Sequence, residues 1–228
     1  MNFMIDSARL DEVKVAMEMG FVCGVTTNTR EVSYHAGDDL AKYVRELRRV
    51  ANGIIHVQVT TETAGEMVAE GRALAGLAKD LRVKIPVTIE GLKAIAALSQ
   101  EGLAVAATAV NTVTMAVLAA RAGACAVIPY YGVLEDFEAD ATDLLEDIMS
   151  AFRRYGFATE LAFFARNVKE VREGIRAGAH GCLMTLAGLR SLFDHPLSVR
   201  EVAFMNSEWR RRFGTRTWAH AARPRRRK

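Results

Sequence analysis

Short apolar runs alternate along the chain with longer segments whose apolar residues recur every three or four positions. The first run, Asn2–Asp6, predicts a strand. Ser7 then caps a predicted helix through about Met19, with Leu10, Val13, Ala16 and Met17 on its apolar stripe. Further strands are expected at Phe21–Thr26, Ile54–Thr60, Leu81–Ile85, Ala104–Thr108, Ala124–Ile128, Thr159–Phe164 and Gly181–Thr185. Between them fall helices at Asp38–Ala51, Ala64–Lys79, Ile89–Ser99, Thr112–Ala122, Asp140–Tyr155 and Val168–Ala177, with a short one at Leu186–Phe193. His195-Pro196 breaks the chain before a last helix over Ser198–Phe213. Strict alternation of eight strands and eight helices implies parallel strands joined by helical crossovers. The expected fold class is α/β, a single (β/α)8 TIM barrel with an extra C-terminal helix spanning residues 1–215. A doubly wound open sheet is the alternative, but eight units with short connections favour closure. Glycines at the Ala122–Ala124, Ala177–Ala179 and Glu101–Leu103 steps suit the residue just past a helix end.

Charge changes this picture at one end only. The 228 residues carry 30 Lys and Arg against 27 Asp and Glu, a net charge of +3. Nine of the basic residues lie at or after Arg210, where no acid occurs, so the body is acidic and residues 216–228 form a basic tail expected to lack regular structure. Half-apolar composition with 4 prolines excludes a disordered or fibrous protein. No apolar stretch approaches the length of a membrane span, and Asp6 interrupts any leader-like run. Cys23, Cys125 and Cys182 are far apart in apolar runs, which implies buried thiols in a reducing, cytoplasmic compartment. His35, His180, His195 and His220 show no ligand spacing with one another or with the cysteines, so no metal is expected. There is no phosphate-cradling glycine loop for a nucleotide cofactor.

In a barrel of this kind, reactive groups belong at the C-terminal ends of the strands. The fourth strand reads LRVKIPVT, and Lys84 is the one lysine of seven set in such an apolar strand. Alternation puts Arg82 and Lys84 on one face and Val83 and Ile85 on the other. If that face lines the barrel, desolvation lowers the lysine pKa and yields a neutral amine nucleophile. The plainer alternative is a lysine whose stem packs and whose ammonium reaches water at the strand end. Other strand ends carry Asp6, Thr26 to Asn28, Gln58, Thr108 and Tyr130, which together would make a polar cup. His56 shares the face of Gln58 one layer deeper, either as a hydrogen-bonded core residue or as a proton relay.

The runs FMIDSA, GVTTN, VQVTTETAGEM, VKIPVTIEGLKAI, TAV and IPYYG, in this order, resemble the small transaldolase family, closest to its fructose-6-phosphate aldolase branch. The likeness extends from about Asn2 to Gly214. It implies a (β/α)8 barrel, a lysine Schiff base and no metal or organic cofactor. By position, Lys84 matches the Schiff-base lysine, and Asp6 the aspartate that holds substrate hydroxyls and aids proton traffic. Asn28, with Thr26 beside it, matches the asparagine that orients the bound carbon chain. Gln58 and Thr108 match the pair holding a catalytic water, and Tyr130 matches the acid/base tyrosine. Glutamine at 58 and tyrosine at 130 favour the aldolase over the transaldolase branch, which has glutamate and phenylalanine there.

The departures fall at the phosphate end. The family's loop TTNPS is Thr26-Thr27-Asn28-Thr29-Arg30 in this chain, Val133 stands where the family has an arginine, and Phe164 where it has a serine. Arg166 is expected to compensate in part. Loss of a cation and a hydroxyl donor should weaken phosphate binding. The implied activity is therefore a class I aldolase joining or cleaving a dihydroxyacetone- or hydroxyacetone-type ketone and an unphosphorylated aldehyde. A transaldolase acting on sugar phosphates and a catalytically silent scaffold are the alternatives. The terminal helix resembles the family's helix that packs on a neighbouring subunit, with Val202, Phe204, Met205 and Trp209 as its stripe, which implies a homo-oligomer, up to a decamer of two pentamers. The alternative is that this helix closes its own barrel. The terminal RPRRRK offers phosphate attraction but slight aromatic interleaving, so a solvated tail is expected, with a nucleic-acid-binding protein that uses this tail as the alternative.

Overall fold

The computed structural model describes residues 1–134 and 143–221. Contacts divide it into two compact units, Met1–Leu189 and Arg190–Lys228. The first unit is a closed barrel of eight strands in sequence order, every neighbour parallel, with β8 pairing back on β1. The strands are β1 (Asn2–Asp6), β2 (Val22–Thr26), β3 (Ile54–Gln58), β4 (Leu81–Pro86), β5 (Val105–Val110), β6 (Ala126–Pro129), β7 (Glu160–Phe164) and β8 (Gly181–Met184). The (β/α)8 architecture expected from the alternation is the one observed, and the open-sheet alternative is excluded by closure.

Helices run between the strands: α1 (Leu10–Glu18), α2 (Thr29–His35), α3 (Leu40–Val50), α4 (Ala64–Ala75), α5 (Ile89–Gln100), α6 (Val113–Arg121), α7 (Tyr131–Leu134), α8 (Leu144–Tyr155), α9 (Val168–Ala177) and α10 (Leu186–Ser191). Residues 140–142 of the helix expected from Asp140 lie outside the described residues. At the strand-to-helix turns a short polar side chain accepts the amide three residues on. Asn28, Thr63, Thr88, Thr112 and Asn167 all do this, each satisfying a donor that the helix itself cannot. Ser7 does not: α1 starts after Arg9, and the Ser7 hydroxyl accepts the Arg9 amide at 3.1 Å while donating to Glu12 at 2.7 Å. Gly102, Gly123 and Gly178 have φ of +80°, +96° and +80°, as their places just past helix ends require.

The barrel has two apolar layers. Outward-facing Ile5, Val25, Ile55, Val83, Ile85, Val127 and Phe163 are buried beneath the helices. Inward-facing Met4, Ala106, Ala126, Ile128, Ala162 and Leu183 pack with one another inside. Small alanines on β5, β6 and β7 leave interior room for the larger polar side chains of β3 and β4. One backbone irregularity lies beside that room. Ala109 takes φ +56° where the β5–β6 register slips between Thr108 and Val110. Such bulges re-aim side chains at barrel rims, and a left-handed alanine costs about 1–2 kcal/mol.

The second unit contains α11 (Pro196–Phe213), which begins with Pro196 at its first turn, and α12 (Trp218–Ala221). Of the tail expected to lack regular structure, 218–221 thus form a helical turn, and 222–228 lie outside the described residues. Within this unit Trp209 packs at a tilt against Phe213 and Trp218 with ring centres 4.7 and 5.4 Å away, and its indole N–H donates to the Arg216 carbonyl. Val202, Phe204 and Met205 are more than half exposed. Among the described residues no helix is long and apolar enough to cross a membrane.

Candidate active site

Lys84 sits on the inward face of β4, 2% exposed. Its Nζ donates to the Thr27 carbonyl at 3.0 Å. Thr27 is itself pinned, with both amide and hydroxyl donating to the His56 carbonyl at 3.0 Å. The turn after β2 is thereby locked to β3 and to the lysine. Burial pushes the Lys84 amine below its ordinary pKa, and the nearby Asp6 opposes the shift. Asp6 moves the other way, its carboxyl raised chiefly by burial and held down by Lys84. The two form a desolvated amine and carboxyl in which the neutral amine is favoured more than in water.

Strand register sets the remaining groups around this pair. Gln58 pairs with Lys84 across β3 and β4, Asp6 with Thr26 across β1 and β2, and Thr108 with Pro86 across β4 and β5. Asp6 Oδ1, Thr26 Oγ1, Gln58 Oε1 and Thr108 Oγ1 are buried with no hydrogen-bond partner among the described residues, as are both ring nitrogens of His56. Buried polar atoms normally find partners, and these unpaired ones share the barrel interior with a buried amine. His56 pairs in register with Arg82, one layer deeper than Gln58 and Lys84. Its pKa is pushed down to about 3, first by burial and then by Lys84 and Arg82, so it is neutral at physiological pH. Arg82 in turn crosses the barrel to Glu160 of β7, with two nitrogen–oxygen contacts of 2.5 and 3.3 Å.

The barrel opens to a cavity of about 380 Å3 lined by Asp6, Ser7, Glu12, Asn28, Glu31, Phe164 and Thr185 to Ala187. Asn28 plays two parts there, since its side-chain carbonyl also caps α2 by accepting the Glu31 amide at 3.0 Å. Tyr130 follows β6 and lines a second cavity, about 320 Å3, with Asn111, Val133 and Leu134. The neighbouring Tyr131 is a core residue, 1% exposed, with its hydroxyl donating to Glu173. Arg166 is not among the described residues that line these two cavities. Its Nε donates to the buried Glu170 at 3.3 Å, and its backbone amide donates to the same carboxylate at 2.7 Å. The Arg166 stem and Nε lie beside Gly132, next to Val133.

Across residues 3–220 the chain matches the family model described as transaldolase/fructose-6-phosphate aldolase. A probable transaldolase of Lachnoclostridium phytofermentans is 37% identical over 94% of this chain and 100% of its own length. One of Clostridium acetobutylicum is 37% identical, covering 93% and 99%, and one of Aquifex aeolicus is 39% identical, covering 87% and 91%. The chain belongs to the transaldolase/fructose-6-phosphate aldolase family. It is therefore an enzyme of a family whose members are Schiff-base class I aldolases.

Within this family member, Asp6, Thr26, Gln58, Lys84 and Thr108 converge inside the barrel, and Asn28 and Phe164 meet Asp6 at its mouth. Sequence reasoning missed Glu12, Glu31 and Thr185 in the cavity wall and Glu160 in the barrel floor. Glu160 was accessible in principle, because period-two alternation aligns it with Ala162 and Phe164 on the inward face. Glu31 was not, because α2 buries no residue and so leaves no apolar stripe to read.

Proposed function

We propose that the enzyme is a class I aldolase joining a dihydroxyacetone- or hydroxyacetone-type donor to an unphosphorylated aldehyde, and cleaving the product in reverse. The carrying observation is the buried Lys84 amine with a lowered pKa, on a barrel interior where several buried oxygens have no hydrogen-bond partner among the described residues. The Lys84 nitrogen attacks the ketone carbon, water leaves, and an iminium forms. Loss of a proton from the adjacent carbon gives an enamine, which bonds to the aldehyde carbon while the aldehyde oxygen takes up a proton. Addition of water to the iminium then releases product and restores the amine. Asp6 and Asn28 would hold donor hydroxyls, Gln58 and Thr108 the water, and Tyr130 the travelling proton, an acid–base contribution of about 10²- to 10⁴-fold.

Val133 and Phe164 support an unphosphorylated acceptor, since neither offers phosphate a donor. A second reading, transfer of a three-carbon ketol unit between sugar phosphates, is favoured by the relatives named probable transaldolases. The two separate in one assay. The aldolase makes product from dihydroxyacetone and an unphosphorylated aldehyde and acts poorly on fructose 6-phosphate; efficient ketol transfer between phosphorylated sugars would decide for the second. We also infer a cytoplasmic homo-oligomer assembled through α11, whose exposed Val202, Phe204 and Met205 support it. A monomer mass in light scattering would remove that assignment.

A further inference from the structure

We propose that the cavity at the barrel mouth selects an acceptor aldehyde bearing a cationic nitrogen at the end remote from its carbonyl. This rests on the aldolase activity proposed above and adds the charge of the second substrate. Three carboxylates line the cavity, Asp6, Glu12 and Glu31, and no lysine or arginine is among its described lining residues. Asp6 lines this space, and its buried Oδ1 has no hydrogen-bond partner among the described residues. Asp6 is near enough to interact electrostatically with both Lys84 and Glu31, so carboxyl groups run from the reactive amine outward.

Local structure fixes the Glu12 carboxylate, which accepts the hydroxyl of the buried Ser7, and the backbone that carries Glu31, whose amide donates to Asn28 Oδ1. Each has a partly exposed basic neighbour, Arg9 at 3.4 Å from Glu12 and His35 at 3.8 Å from Glu31. Exposed contacts of that kind contribute little and are readily exchanged. Phe164, Leu186 and Ala187 supply apolar wall in the same cavity. Carboxylates combined with an aromatic side chain are the chemistry that recognises alkylammonium groups. A phosphate in the same place would meet like charge.

The test uses the full-length protein, hydroxyacetone as the one donor, and two acceptors of equal shape. In 4-(trimethylammonio)butanal a charged nitrogen replaces the quaternary carbon of 5,5-dimethylhexanal. The expected kcat/KM ratio, cation over neutral, is about tenfold or more at low ionic strength and shrinks as salt is added. Glu31→Gln lowers that ratio several-fold and Glu31→Lys brings it to one or below. A wild-type ratio at or below one overturns the proposal. So does a ratio unmoved by Glu31→Gln and Glu12→Gln combined, or failure of both acceptors on a protein that still captures donor. Borohydride trapping of hydroxyacetone on Lys84 needs no acceptor. An adduct with a ratio of one therefore rejects the charge preference alone, whereas no adduct rejects the aldolase activity itself.

Discussion

Replacing His56 with leucine, a side chain of similar volume, removes a titratable group that the barrel holds neutral. In the unfolded chain an imidazole titrates near 6.5, whereas burial and the cations of Lys84 and Arg82 push His56 down to about 3. Between those values the unfolded chain binds more protons than the native one, so stability rises with pH. The native state carries no penalty above pH 6.5 and loses stability as pH falls toward 3. At pH 5 the loss amounts to about 2 kcal/mol, from roughly 1.4 kcal/mol per pH unit. Urea unfolding at pH 7.5 and pH 5, at one protein concentration, measures it in both proteins. The wild type should lose about 2 kcal/mol more than His56→Leu across that interval. The raised Asp6 pKa acts in the opposite direction, favouring the native state at low pH, but it is present in both proteins and drops out of the difference. Equal losses would refute the reasoning, because His56 would then be able to take up a proton in the folded barrel.

Two further perturbations probe the acceptor end and the packing. Val133→Arg combined with Phe164→Ser restores a cation and a hydroxyl. It should raise kcat/KM for a phosphorylated aldehyde relative to its unphosphorylated form by about 10- to 100-fold, one or two charge-assisted contacts opposed by the acidic mouth. An unchanged ratio in steady-state kinetics would show that these positions do not set phosphate tolerance. Gly174→Ala places a methyl carbon 2.0 Å from Cζ of Phe163, a fully buried ring on the outer face of β7. Overpacking of that kind costs about 1–3 kcal/mol, and thermal unfolding should register it as a drop of roughly 2–4 °C per kcal/mol.

Much of the fold was legible because every strand and most helices announce themselves with an apolar period. LRVKIP shows its alternation directly, and Lys84 stands out within it. The elements that escaped have no such period. The helix Thr29–His35 buries none of its residues, and the single turn Tyr131–Leu134 is too short to display a repeat. The same limit applied to the site. Residues at strand ends could be placed on the inward face by counting twos, and Asp6, Thr26, Gln58 and Thr108 are found there. Glu12 and Glu31 read as ordinary surface charges in the first turns of helices, where acids favour the local dipole. Only the closed barrel turns them toward a cavity. Arg82 and Glu160 lie 78 residues apart, and no local pattern links them. The contact of Arg166 with Glu170 is equally silent in the sequence, since Glu170 resembles any acid one helical turn away and its near-complete burial is a property of the packed structure.

The central claim is that the Lys84 amine forms the covalent bond to substrate. The direct measurement is to incubate the protein with dihydroxyacetone, reduce with borohydride, digest it and map the mass addition. A reduced three-carbon adduct on Lys84, absent from Lys84→Met and from unreduced protein, is the expected result. Modification spread over the exposed lysines with Lys84 untouched would contradict it.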